Sequence, residues 1–170
     1  MISTAESFAL MLETACRDFE VLVALVSGRT QIVAADGPAY QAQAAVTMAL
    51  AKSFVFHAVR AVRICEHGAS QLAIDRQQRR TFLSSMRRLV EVRDVNEHGF
   101  DAVRVKSRPK QHLHEDHNGS LDETSMVILG PEQILMGPLN LWGFYRAVGE
   151  MRDVAGFRSL PLPGPAISLT

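Results

Sequence analysis

The chain has 170 residues, with 18 basic and 18 acidic side chains and no net charge. That length suits one domain able to bury about 70% of the surface its unfolded chain exposes. Apolar residues make up 47% and charged residues 21%, which argues against whole-chain disorder and against a globally basic footprint for nucleic acid. Aromatic residues are few, so the core must be built from Ala, Val, Leu and Met with a handful of Phe.

The first residues, Met1 to Ala9, carry Glu6 and no basic n-region, unlike a signal peptide. Apolar runs such as Val21 to Val26 are too short to span a bilayer. The expectation is a cytoplasmic protein with no membrane segment. Cys16 and Cys65 are distant from each other and lack metal-type spacing. They are expected to be buried, reduced thiols.

Ser3 or Thr4 could cap a first helix. With Thr4 as the cap, Ser7 takes the third helical position and no full capping box forms. Phe8, Leu12, Ala15, Phe19, Leu22 and Val26 recur at helical spacing, and Gly28 offers a left-handed cap. Asp36-Gly37-Pro38 reads as a turn into a second helix over 39–67, closed by Gly68. Apolar residues cover most of its circumference, so it belongs at the centre of a bundle or at a dimer interface.

A third, heavily charged helix is expected over 73–103, followed by a polar connector over 105–120. Thr124 to Leu129 and Gln133 to Met136, separated by Gly130-Pro131-Glu132, read as a small β-hairpin. Asn140 caps a last helix to Gly156, with Trp142 and Tyr145 as core anchors. A loose, proline-containing tail is expected to follow. The predicted fold is mainly α: an up-and-down helical bundle of three long helices and a C-terminal one, with a small inserted hairpin, in a single domain.

The polar chemistry concentrates on the third helix. At about 100° per residue, Arg80, Arg87, Glu91, Asp94 and His98 share one face, and Phe82, Met86, Leu89 and Phe100 the opposite one. Arg93 and Asn96 fall on the inward side, where a charge must be paired or must line a cleft. An Arg93–Glu97 pair, four residues apart, is the plain account. A cleft that binds an anion is the functional one. From Asp75 to Lys110 there are ten basic and five acidic side chains, a local net of +5 on a neutral protein. Such a patch attracts phosphate.

Arg93-Asp94-x-x-x-His98 resembles the Arg, polar residue, three to five others, His motif of the HEPN superfamily. The resemblance covers the three long helices, 4–104, and departs from the simplest members in the hairpin before the last helix. It implies a small helical bundle acting as a homodimer, either cutting RNA without a metal or binding nucleotides. By that resemblance Arg93, Asp94 and His98 are catalytic, and no cofactor is required. A histidine moves protons near neutral pH. His98 would serve as general base or acid on an RNA 2′-hydroxyl or leaving oxygen, with Asp94 orienting its ring. Arg93 would stabilise charge building on the phosphate. A 2′,3′-cyclic phosphate is the expected product. Arg80, Arg87 and Asn96 are the candidate phosphate-binding residues.

His112, His114 and His117, with Glu115 and Asp116, make a dense cluster of ligand types, but a solvated loop is expected there, not a metal site. His57 is expected to be a satisfied core or interface histidine. No Walker loop, dinucleotide fingerprint or nucleophile elbow is present. The alternative to the HEPN-like reading is a non-catalytic helical interaction module.

Overall fold

A computed structural model describes residues 2–28, 38–98, 126–137 and 139–155, with only the backbone described over 38–40, at Val92, and over 94–98 and 126–130. Its elements are α1 (Thr4–Ser27), α2 (Pro38–His67), a 3-10 turn (Ala69–Gln71), α3 (Arg76–His98), β1 (Met126–Gly130), β2 (Gln133–Met136), β3 (Leu139–Asn140) and α4 (Leu141–Val154). Each helix packs on its neighbour in sequence, and α4 closes the ring by packing on both α3 and α1. This is the expected up-and-down bundle.

The start of α1 selects one of the two candidate caps. Ser3, not Thr4, is the cap: its hydroxyl accepts from the Glu6 amide, and the Glu6 carboxylate accepts from the Ser3 amide. With Ser3 as the cap, the full capping box is present. Gly28 ends the helix in the right-handed region, φ −76°, so it is no left-handed cap. Helix α3 starts at Arg76 because the Asp75 side chain accepts from the Gln77 and Gln78 amides. It runs through His98, and its expected continuation to Val103 lies outside the described residues, as do Phe100, the histidine-rich connector and the tail.

The core is a stripe from every helix. Phe8, Leu12, Phe19 and Leu22 of α1 meet Phe54, Ala58, Val59 and Val62 of α2, Phe82, Met86 and Leu89 of α3, and Leu141, Val148 and Met151 of α4, all buried. Phe19 is its hub. Its ring lies 5.0 Å from Phe54, 5.0 Å from Trp142 in a T-shaped contact, and 4.7 Å from Tyr145 in a stacked one. Trp142 and Tyr145 are thus the anchors the sequence indicated.

The hairpin grows into a three-stranded antiparallel sheet in the order β1-β2-β3, with Ile134 and Met136 buried. Gly137, at φ 54°, makes the reversal between β2 and β3, a conformation side chains disfavour. The sheet is tied to α4 by the cap itself. Asn140 accepts from the Trp142 amide and donates to the Glu132 carbonyl, while the Trp142 indole donates to the Pro131 carbonyl at 2.6 Å. Gly68 has a different constraint: a Cβ there would sit 2.6 Å from Thr4 Cγ2 and 2.9 Å from the Ile64 carbonyl oxygen. Thr4 also donates to Gln71, so the start of α1 and the α2–α3 connection hold each other.

By length and composition Gln41–His67 is apolar enough to cross a membrane, yet 44% of that window is buried inside the bundle. Core burial accounts for its inner face; its outer face is considered below.

Phe19→Ala removes the ring shared by three helices and is expected to cost about 3–5 kcal/mol. Chemical denaturation measures the loss. Gly68→Ala is expected to destabilise as well, and shortening the Thr4 side chain in the double variant Thr4→Ser/Gly68→Ala should recover part of that loss.

Candidate functional site

Two polar places stand out, one expected and one not. The expected one is α3. Its inward face is as drawn from the sequence, with Phe82, Met86 and Leu89 buried. Over 76–91 the exposed positions are Arg76, Gln77, Gln78, Arg80, Thr81, Ser84, Ser85, Arg87 and Arg88. Four are arginines, the rest are neutral and polar, and no carboxylate is among them. Asp75 caps the helix and Glu91, half-buried, accepts from Arg87 Nε at 3.2 Å, while Glu150 of α4 is exposed across a groove from Gln77, Gln78, Thr81 and Ser85. The result is an open basic strip along the helix.

Arg93 is half-buried near the end of this helix. The side chains of Asp94, Asn96, Glu97 and His98 lie outside the described residues, and with them the expected Arg93–Glu97 pair and Arg93–His98 cleft. The backbone is helical throughout, however. Five residues along a helix separate Arg93 and His98 by about 140° and about 7.5 Å of rise. One chain therefore does not stack them on a single face. A shallow, partly apolar groove opens between α3 and α4, lined by Thr81, Phe82, Ser85, Ala147, Glu150 and Met151, and does not reach Arg93.

The second place joins α1 to α2. Asp18 Oδ2 is 2.9 Å from His57 Nδ1 and accepts from the Ser53 hydroxyl at 2.7 Å. The Ser53 hydroxyl is also 3.3 Å from the same ring nitrogen. These three residue types invite comparison with a nucleophile triad, but the connectivity differs. A triad uses opposite ring nitrogens for serine and carboxylate. Here both converge on Nδ1, and the serine proton goes to the carboxylate. The arrangement is an interhelical clamp that satisfies His57, as its setting in an apolar helix suggested. Asp18 gave no signal in the sequence, because its partner is 39 residues away.

The thiols also conform. Both cysteines are buried and neither forms a disulfide. Burial pushes Cys16 up to about 11, with Arg152 opposing, and raises Cys65, opposed by Arg79. Burial and donation to Glu20 at 3.0 Å push Tyr145 up to about 12. Among the described residues no cluster of His, Cys, Asp or Glu could hold a metal ion.

No known protein-family model matches the chain, and no curated protein or solved structure is detectably similar to it.

Two outcomes follow from this geometry. Asp18→Ala leaves Ser53 and His57 without their acceptor and is expected to cost about 1–3 kcal/mol in urea denaturation. Cys16 and Tyr145 are harder to ionise folded than unfolded, so they support the fold while neutral. That support is whole below the unfolded thiol value of 9.0 and is lost as pH rises through about 11 for Cys16 and about 12 for Tyr145. Stability measured against pH should therefore decline on the alkaline side, and a thiol reagent at pH 8 should label Cys16 only after unfolding.

Proposed function

We propose that this chain is a HEPN-like helical domain that binds RNA along the outer face of α3 and cleaves it as a homodimer. The observation that carries the reading is the exposed strip of Arg76, Arg80, Arg87 and Arg88, uninterrupted by any exposed carboxylate over 76–91. Phosphate contacts by arginine dominate affinity for nucleic acid, and neutral Gln, Ser and Thr side chains between them add hydrogen bonds without repulsion. By helical period the strip leads along the helix to His98, while Arg93 falls on the inward side of the same chain.

In the cleavage step His98 takes the proton of a 2′-hydroxyl. The 2′-oxygen then bonds to phosphorus as the bond to the 5′-oxygen breaks. That oxygen leaves with the proton that His98 took, giving a 2′,3′-cyclic phosphate and a 5′-hydroxyl and returning the imidazole to its neutral form. Arg93 offsets the charge that gathers on the phosphoryl oxygens. The angular separation of Arg93 and His98 on one helix is the reason to invoke a pair of chains, each completing the other's site.

The test has two tiers. Arg80→Glu/Arg87→Glu is expected to weaken single-stranded RNA binding more than tenfold and to flatten its salt dependence, each lost phosphate contact removing about 0.7 from the slope. Arg93→Ala and His98→Ala should abolish cleavage while leaving the melting temperature and RNA binding near those of the parent. Cleavage retained by both variants removes the enzyme. RNA binding unaffected by the charge reversal removes the RNA reading altogether.

The second reading, a non-catalytic interaction module, is favoured by one specific observation: Val46 and Phe56 on α2 are about half exposed in the most apolar helix of the chain.

A further inference from the structure

The groove between α3 and α4 opens beside the arginine strip and differs from it in chemistry. Its floor is apolar, with Phe82 and Met151 buried beneath it and Val154 exposed at its edge. Its rim is polar: Gln77, Gln78 and Thr81 of α3 stand on one side and Glu150 of α4 on the other, all exposed. The space is about 180 Å³, below the roughly 300–1,000 Å³ of sites that enclose a whole small molecule. It suits one flat ring laid on an apolar floor.

The rim keeps its hydrogen-bonding capacity. Among the described side chains of the four helices, Glu150 is the one carboxylate with neither a cation nor a donor against it; the others cap, clamp or pair within the chain. Gln77 and Gln78 are engaged only through their backbone amides, by Asp75, and the Thr81 hydroxyl has no partner among the described residues. Ser85 differs, since its hydroxyl turns back on its own helix and donates to the Thr81 carbonyl at 2.6 Å. On a helical wheel Gln77 and Thr81 lie between Arg80 and the groove, and Arg88 falls within about 60° of Thr81 and Ser85. A strand whose phosphates rest on these arginines holds its bases next to the groove.

We propose that this groove takes one guanine base of the RNA strand bound along α3 and so gives the domain a sequence preference. The inference rests on the RNA-binding reading above and is independent of cleavage. Unstacked bases of single-stranded RNA are read by apolar contact with the ring and by hydrogen bonds to its edges. A carboxylate only accepts. Guanine is the base whose Watson–Crick edge offers two adjacent donors, N1–H and the N2 amino group, and these match the two oxygens of Glu150. Adenine and cytosine set a ring acceptor beside their amino group, and uracil flanks its one N–H with two carbonyls. Each of the three therefore turns an acceptor toward the carboxylate. The amides of Gln77 and Gln78, on the opposite rim, are donors for the O6 and N7 acceptors of guanine. An exposed acid beside a phosphate-binding strip otherwise only repels the strand; reading a base edge gives Glu150 a role there.

The test uses the full chain and labelled single-stranded RNAs of about eight nucleotides. They are all uridine except for one central guanosine, adenosine, cytidine or inosine, with an all-uridine control, and binding is read by fluorescence anisotropy at one salt concentration. The guanosine strand is expected to bind roughly fivefold tighter or more than the adenosine, cytidine and all-uridine strands. Inosine, which lacks only the N2 amino group, should lose most of that preference. Glu150→Gln should bring the guanosine strand to the affinity of the all-uridine strand, with an unchanged melting temperature. Equal binding of all the strands that Arg80→Glu/Arg87→Glu weakens overturns the guanine site and leaves the RNA reading standing. No binding of any strand overturns both. A guanosine preference that survives Glu150→Gln, or that inosine shares in full, overturns the proposed contacts. Free GMP binding as tightly as the guanosine strand overturns the strand-bound base in favour of a nucleotide site.

Discussion

Phe19 is where the bundle is decided. Its ring touches aromatic side chains from α2 and α4 at once, and α1 contributes buried side chains on each side of it along the axis. Because α4 is short and the sheet small, neither buries enough apolar surface to stand alone. Both depend on that contact. Trp142 packs on Phe19 and, through its indole N–H, holds the Pro131 turn of the sheet. The same residue thus fixes where α4 lies and where the hairpin lies. Phe8 extends the arrangement to α3 through an edge-to-face contact with Phe82 at 6.3 Å.

With the inner faces fixed in this way, the outer faces differ sharply in chemistry. The exposed side of α3 is basic and polar, and it carries no large exposed apolar side chain over 76–91. The outer side of α1 and α2 carries four such side chains. Since α2 and α4 each pack on both α1 and α3, it is α1 and α3 that stand diagonally across the bundle. A neutral net charge conceals this division. The carboxylates of α1 and α2 take part in caps, clamps and ion pairs within the chain, and Glu6, Glu20 and Glu66 remain exposed among them.

Much of this architecture was legible residue by residue. The spacing of Phe8, Leu12, Ala15, Phe19, Leu22 and Val26 named the buried side of α1, and each of these residues is buried. The inward side of α3 and the Asn140 cap were equally plain, since helical period and cap chemistry act within a few residues. The ends of α1 were less plain. Ser3 and Thr4 can both cap, and only the return contact from Glu6 selects Ser3. Gly28 satisfied the composition of a left-handed cap without adopting its conformation. The site was less legible than the fold. The Arg93 to His98 spacing could be read and shown to lie on one helix, but spacing on a helix fixes an angle and not a partner.

By itself the sequence determined the helices, their buried sides, the hairpin, and the excess of positive charge over 75–110, because each of these follows from local periodicity and composition. Tertiary structure alone decided that Asp18 would clamp Ser53 and His57, that Trp142 would hold the Pro131 turn, and that Tyr145 would donate to Glu20 from 125 residues away. It also decided that the apolar α2 would keep an open outer side. The physical reason is the same in every case: which side chains meet across a bundle depends on how helices rotate against one another, and that rotation is set by the packing of the whole core.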